Sequence, residues 1–396
     1  MTMRPLSGIT VLDCTQIYNG PYAAFLMAQA GAEVIKIEPP GGEHLRKRTA
    51  GGMGLPFAML NANKRSLKLD LKTEAGRDIL KQLAAKADVL VENFAPGVMD
   101  RLGLGAAAMK AVNPRLIYAC SSGYGSTGPY RDYPAMDLTV QAMAGYMSIT
   151  GFQDKPPVKA GPAVCDFLAG VHLYGAIVTA LLERERGGEV RSVEVSMLEA
   201  SYFPLGSGLS LLATAKQGAP LRVGNRHSGL SLCPYNVYPT SDGHIAIITS
   251  NEAQWVNLLR AFGREAEKDD PRWRTVHDRV RNMELVDGMV AGWTSALDKQ
   301  ALFEKLLAAR VPCAPVRTLE EVMHDPHLHA RGALQWIDHP EYGRLAVPTS
   351  PLRFSGLDAP DYQPSETLGQ ENRAVLAERL GLDDAALDAL AAQGVI

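Results

Sequence analysis

The stretch Gly8–Glu38, GITVLDCTQIYNGPYAAFLMAQAGAEVIKIE, decides the fold class. GITVLDCT is a short β-rich run, GPYAAFLMAQAG reads as a helix ended by Gly31, and AEVIKIE is a second strand. Strand, helix and strand in this order make a βαβ opening. The alternation continues through a helix in TEAGRDILKQLAAKA (73–87), a strand in DVLVENF (88–94), a short helix through GVMDRLGLG (97–105) and a strand in RLIYACSSG (115–123). Strands separated by helices predict a parallel sheet covered on both faces, an α/β architecture. Strand RSVEVSM (191–197) and helix LEASYFPLGSGLSLLATA (198–215) follow. The texture then changes to turn chemistry, with a hairpin-like TSDGHI (240–245) and helices in NEAQWVNLLRAFG (251–263) and DKQALFEKLLAARV (298–311). We therefore expect a large α/β domain over 1–220, a smaller α+β domain over 225–325, and a segment 330–396 that returns to the large domain and ends in a helix pair.

Composition narrows the function classes. With 396 residues, 46% of them hydrophobic, the chain has enough apolar mass for a large core and about two domains. A formal net charge of −3 gives no general attraction to nucleic acid or anionic lipid. The five cysteines Cys14, Cys120, Cys165, Cys233 and Cys313 are widely spaced, which suits reduced thiols in a cytoplasmic protein rather than a disulfide frame or zinc site. MTMRPLSGITVLD lacks the apolar core of a signal peptide, and the apolar run after Asp166 falls short of a usual membrane span.

Several motif readings fail on their own chemistry. The first strand-to-helix turn, TQIYNGPYAA (15–24), has one glycine where a dinucleotide site needs G-x-G-x-x-G, so neither NAD nor FAD is expected and Glu38 is not read as a ribose ligand. HDPHLH holds His324, His327 and His329, but a proline breaks the helical spacing and no Cys or paired carboxylate completes a metal set. No metal is expected. The stretches that remain place Arg46, Lys64, Arg65, Lys72 and Arg101 near carboxyl edges of strands, suited to phosphates, with the ring of Phe94 available to a base.

In KAGPAVCDFLAGVHLYGAIVTALLERERGG (159–188) a single acid, Asp166, stands at the mouth of an apolar run. Its local reading is an N-cap for a helix starting just after it and running to Gly187 and Gly188.

GAEVIKIEPPGG (31–42), NKRSLKLDLK (63–72), ENFAPGVMDRLGL (92–104), SGYGSTGPY (122–130), DLTVQAMAGYMSITG (137–151) and GPAVCDF (161–167), in this order, resemble the family III (CaiB/BaiF-type) CoA-transferases. That family includes formyl-CoA transferase and carnitine CoA-transferase, with α-methylacyl-CoA racemase as a related branch. The resemblance implies a Rossmann-like large domain, an interlocked ring-like homodimer, and Asp166 as the nucleophile. It implies coenzyme A contacts, as acyl-CoA substrate, from Gln16, Asn19, Leu69, Lys72, Asn93, Phe94, Ala95, Arg101 and Met197. Two positions depart from the family pattern: Tyr18 stands where an assisting glutamine occurs, and Pro134 where a lysine does, so that this phosphate contact is either lost or supplied by Arg131. A glycine-rich substrate loop becomes GNRHSGLS (224–231), carrying His227, Ser228 and Gly229.

These correspondences imply an acyl-CoA donor, such as succinyl-CoA, and a small carboxylate acceptor. Asp166 would attack the thioester to give a mixed anhydride, and returning thiolate would give an aspartyl-CoA thioester. Asp137 is a second acid. Tyr18, Arg46 and His227 would favour a polar acceptor, such as a dicarboxylate. Two alternatives stay open: an acyl-CoA racemase, for which Met136 stands where a base is needed, and a CoA-binding protein without turnover.

Overall fold

The computed structural model describes residues 3–47, 54–214, 220–340 and 343–396. The chain forms two compact units, one from Met1–Val140, Pro162–Ser201 and Met323–Ile396, the other from Gln141–Gly161 and Tyr202–Val322.

The first unit is built on six parallel strands: β1 (Thr10–Asp13), β2 (Glu33–Glu38), β3 (Arg65–Lys68), β4 (Val89–Glu92), β5 (Ile117–Ser122) and β6 (Val193–Ser196). They run in the order β3-β2-β1-β4-β5-β6, the doubly wound arrangement of Rossmann-like folds. Successive strand residues point to opposite faces, so Leu12, Ile35, Leu67 and Leu90 enter one core layer while Val11, Val34, Val89 and Val91 enter the other. The first layer is closed by Ile79 and Leu80 of helix Glu74–Ala84 and by Val375 and Leu387 of the two C-terminal helices, Asn372–Leu380 and Asp384–Ala392. Ala23 and Met27 of helix Asn19–Gln29 close the second, together with Leu173, Ile177 and Leu181 of helix Val164–Glu185. That last helix is long and apolar enough to span a bilayer by length and composition alone. Here one side of it is core.

β3 is a strand that local pattern does not announce, because RSLK is four residues with two charges. It forms because Leu67 is fully buried and its outer edge is closed by the C-terminal segment. The Ser66 amide donates to Glu366 Oε2 (2.7 Å), the Lys68 amide donates to Asn372 Oδ1 (2.8 Å), and Arg65 pairs with Glu371 (2.9 Å). An edge that would otherwise present unpaired backbone groups is thereby satisfied.

The second unit holds an antiparallel sheet of β7 (Tyr235–Pro239), β8 (His244–Ile248) and β9 (Cys313–Pro315), with the TSDG turn joining β7 to β8. Trp255, Leu258, Val286, Val290 and Leu302 form its core, and the fully buried Arg279 donates to the Cys233 carbonyl (2.8 Å) and pairs with Glu252 (2.9 Å). A hairpin of β10 (Leu334–His339) and β11 (Gly343–Pro348) belongs to the first unit.

The helix expected over 198–215 is broken. It consists of helix Met197–Ala200, a 3-10 turn Phe203–Leu205 and helix Gly206–Thr214, and the first and second pieces belong to different units. Pro204 has no amide hydrogen for the helical ladder and disfavours helical geometry at Phe203, which accounts for the break.

A buried charge cluster sits where the carboxyl end of β1 meets Lys36 of β2 and Lys64, the residue before β3. Asp13 Oδ2 accepts from Lys64 Nζ (2.8 Å), and Asp13 lies 3.7 Å from Lys36 Nζ, which also lies 3.6 Å from Glu43 and donates to the Thr15 carbonyl. Burial pushes the Asp13 carboxyl up, but the ammoniums of Lys36 and Lys64 outweigh it and hold the group below its ordinary value. Burial pulls Lys64 down to about 8. Asp13→Asn leaves two buried ammoniums short of their shared counter-ion, and we expect a loss of about 3–5 kcal/mol in urea unfolding at neutral pH. Because the folded value of Asp13 is depressed, its contribution is present above the ordinary value of 3.8 and lost as pH falls through the lower folded value. The gap between wild type and variant should therefore persist at neutral pH and close only in acid.

Candidate active site

The strand order reverses between β1 and β4, and open α/β sheets bind ligands outside the carboxyl ends of such strands. Two loops leave the sheet there, Cys14–Tyr18 after β1 and Asn93–Pro96 after β4. The Asn93 side chain stitches them together. Its Oδ1 accepts from the Gln16 amide (2.8 Å), while Nδ2 donates to the Gln16 carbonyl (2.8 Å) and to Asn19 Oδ1 (2.7 Å). These bonds bracket Ile17, a β-branched residue at φ 68°, a conformation that costs about 1–3 kcal/mol and persists only where neighbours impose it. Asn19 and Asn93 thus use their side chains to shape the loop.

Five of the expected coenzyme contacts meet in one cleft. Gln16, Leu69, Lys72, Phe94 and Arg101 line a cavity of about 350 Å³, within the range of small-molecule sites. Leu69 is fully buried on its wall, Phe94 is half-buried, and Lys72 and Arg101 are exposed. Ala95 is exposed on the adjoining loop, where its carbonyl accepts from the Val98 amide (3.1 Å). Met197 is buried at the head of the helix after β6 and does not line this cleft; its carbonyl accepts from Ser201 Oγ (2.7 Å), which in turn bonds the thiol of Cys165. Arg131 lines a neighbouring cavity instead.

Three cations read as phosphate contacts are committed elsewhere. Arg46 makes a bidentate pair with Glu38 (2.7 and 2.7 Å), donates to the Glu366 carbonyl (3.0 Å) and stacks 4.0 Å from the centroid of Phe57. Lys64 is buried on Asp13, the Pro21 carbonyl and Asn61, and Arg65 is held by Glu33, Glu371 and Glu378. Charge composition alone cannot separate such internal ion pairs from a phosphate rim. The cleft also contains acids that the spacing did not single out for it, Glu38 and Glu43, together with Cys14. Their position at or just beyond strand carboxyl ends was the available signal.

The reading of Asp166 as an N-cap is overturned. The helix begins at Val164, so Asp166 is its third residue, and the cap position is Ala163, which has no side-chain acceptor. The acceptor comes from elsewhere in the chain. Asp137 Oδ1 accepts from the amides of Cys165 (2.9 Å) and Asp166 (3.3 Å), satisfying two of the exposed donors of the first turn. Asp166 is 6% exposed, and its acidic charge in the first turn suits the helix dipole. The helix can approach this closely because residue 170 is glycine: a Cβ there would lie 2.6 Å from the Asn19 carbonyl oxygen. The same approach brings Phe167 onto the rings of Tyr22 (5.0 Å, edge-on) and Tyr18 (5.9 Å). Asp166, Asp137 and Tyr18 therefore gather at the amino end of one helix. Apolar and aromatic groups flank them.

The GNRHSGLS loop lies in the second unit. There His227 Nδ1 accepts from the Gly229 amide (3.1 Å) and meets Ser231 Oγ (3.1 Å), and its ring packs edge-on against Tyr235 (5.3 Å). Ser228 is half-buried between them in sequence.

Comparison with known proteins identifies the family. The profile of CoA-transferase family III matches residues 6–372. The chain is 37% identical to an acetyl-CoA:oxalate CoA-transferase of Acetobacter aceti, over 96% of this chain and 97% of that one. It is 34% identical to a succinate–glutarate CoA-transferase of Agrobacterium fabrum, over 94% and 95%. The crystal structure of a CaiB/BaiF family protein from Brucella suis superposes with a TM-score of 0.84 at 32% identity, covering 96% of this chain and all of that one. Fold and sequence agree, and the chain belongs to the family III CoA-transferases.

Proposed function

We propose that the protein moves CoA from an acyl-CoA donor to a small polar carboxylic acid, with Asp166 as the nucleophile. The observation that carries this reading is a nearly buried carboxylate at the start of a helix whose first-turn amides are already engaged by a second carboxylate, Asp137. Asp166 does not need to cap its own helix. Its carboxylate attacks the thioester carbonyl and expels CoA thiolate, giving a mixed anhydride. The thiolate then attacks the aspartyl carbonyl, releasing the donor acid and leaving an aspartyl-CoA thioester. An acceptor carboxylate attacks that carbonyl, and the thiolate finally takes the acceptor's acyl carbon, so Asp166 is regenerated with no net proton and no nucleotide consumed. Phe167 and the rings of Tyr18 and Tyr22 limit water at the anhydride, which hydrolysis would waste.

The cleft between β1 and β4 supplies the coenzyme contacts in this reading, with Phe94 against the base and Lys72 and Arg101 toward phosphate. For the acceptor, the named relatives act on oxalate and on the succinate–glutarate pair, all dicarboxylates, which supports a polar diacid. Tyr18 is the acceptor-side hydroxyl of the proposal, and Arg46 is withdrawn from that role because Glu38 holds it. His227, Ser228 and Gly229 form a separate proposal for acceptor recognition. A racemase would need a second base beside Asp137, whereas Met136 has none. Association as a homodimer belongs to the same reading, and the exposed apolar residues Phe167, Val171 and Leu182 of helix Val164–Glu185 support it. Light scattering should give twice the chain mass; a monomer stable to dilution would contradict it.

Asp166→Ala should lower kcat by more than about a hundredfold, roughly 2.7 kcal/mol of barrier, while calorimetric CoA binding stays close to wild type. Incubation with succinyl-CoA and a panel of mono- and dicarboxylic acids, followed by mass spectrometry, should show new CoA esters of the diacids. Exclusive transfer to long-chain acids, or mere exchange of an α-proton, would overturn the reading. Asp137→Ala should cost about 1 kcal/mol in thermal unfolding, as loss of a helix cap does. Lys72→Ala and Arg101→Ala should each raise KM for the acyl-CoA several-fold, more at low salt than at high, because exposed phosphate contacts are screened. His227→Ala should raise KM for the acceptor alone.

A further inference from the structure

The last residue of β4, Glu92, has no role in the chemistry above, yet its carboxylate is tied to the wall of the cleft. Oε2 accepts from the Phe94 amide (2.8 Å) and Oε1 accepts from the Tyr118 hydroxyl (3.2 Å), and neither partner is a cation. Phe94 is shared by two cavities, the coenzyme cleft and a neighbouring one of about 290 Å³ lined by Glu92, Asp100, Tyr118, Cys120 and Arg131. The backbone that carries the ring proposed to meet the base is thus held by one carboxylate. We propose that Glu92 is a positioning residue for coenzyme binding: ionised, it pins the Asn93–Phe94 turn in its binding geometry, and on gaining a proton it releases that turn.

The surroundings make this proton available near neutrality. Burial pushes the Glu92 carboxyl up to about 7, against the pull of the Phe94 and Tyr118 hydrogen bonds, and Asp100 on helix Val98–Arg101 adds to the rise. The other titratable groups facing it are the thiols of Cys14 after β1 and Cys120 on β5, with Glu194 of β6 acting on Cys120. Arg131 is the cation of the shared cavity. As pH falls through about 7 the acceptor of the Phe94 amide loses its charge, and a hydrogen bond to a neutral acceptor is the weaker by a factor of about five in binding.

This inference rests on the coenzyme reading of the cleft, and one titration separates the two. Dephospho-CoA is the probe, because it lacks the 3′-phosphate monoester whose own second ionisation, near about 6, would overlap. Its affinity for the full-length protein, measured by calorimetry, should fall about fivefold between roughly pH 8 and roughly pH 6. Glu92→Gln, whose neutral amide mimics the protonated acid, should bind with the weaker affinity at every pH. Tyr118→Phe removes one donor that favours the ionised form, so its step should persist with a midpoint moved to higher pH; it also serves if Glu92→Gln folds poorly. A pH profile in Glu92→Gln parallel to wild type, or a flat profile in wild type, overturns the role of Glu92 and leaves the cleft assignment standing. Failure of wild type to bind the probe at any pH overturns both.

Discussion

The buried cluster of Asp13 with Lys36 and Lys64 is the constraint on which the rest of the site depends. It joins three adjacent strands: Asp13 ends β1, Lys36 lies within β2, and Lys64 immediately precedes β3. Burying these charges is expensive, and an apolar replacement of equal shape would hold strands together at least as well. What the charges add is direction. Asp13 Oδ1 accepts from the Thr15 amide (2.9 Å), and Lys36 donates to the Thr15 carbonyl, so the chain leaving β1 is bonded on both sides of Thr15 before it reaches Gln16. From there Asn93 takes over, and the turn reaches Ile17 and Tyr18 with little freedom left.

The same economy explains which parts of the fold were legible in the sequence. β1 and β4 announced themselves because strands buried on both faces are nearly continuous apolar runs, while β2, β5 and β6 were read from their β-branched and aromatic residues. β3 did not, since its existence depends on Glu366 and Asn372, some three hundred positions away. Likewise the 198–215 segment has helical composition almost throughout, and only Pro204 hints at the break.

At the site, residue types were readable and partners were not. Asp166 stood out as an acid before an apolar run, and the helix reading followed correctly. Its assignment as the cap failed because capping was taken from the nearest suitable side chain, whereas Asp137, in a helix that ends before the intervening loop, reaches the same amides. Arg46, Lys64 and Arg65 failed for the matching reason. Each lies close in sequence to a phosphate-like rim, but Glu38, Asp13 and Glu371 respectively are nearer in space.

These failures bear on how a cleft with acids in its lining can receive a polyanion. Glu38 and Glu43 both line it, and either carboxylate left uncompensated would repel phosphate. Arg46 neutralises Glu38 through two hydrogen bonds, and Lys36 stands 3.6 Å from Glu43. Of the cations withdrawn from the rim, Arg46 is thus engaged by a lining acid, while Lys64 and Arg65 serve ion pairs outside the cleft. Lys72 and Arg101 are the cations left among the lining residues, and both are exposed. In the proposed coenzyme reading, phosphate recognition would belong to the solvated mouth, where it steers and is screened by salt, and the interior wall of Leu69, Ile37 and Phe94 would discriminate by shape and burial. A ligand held as proposed would be gripped by its flat, apolar end, so that the setting of Phe94, rather than the number of cations, would govern its affinity.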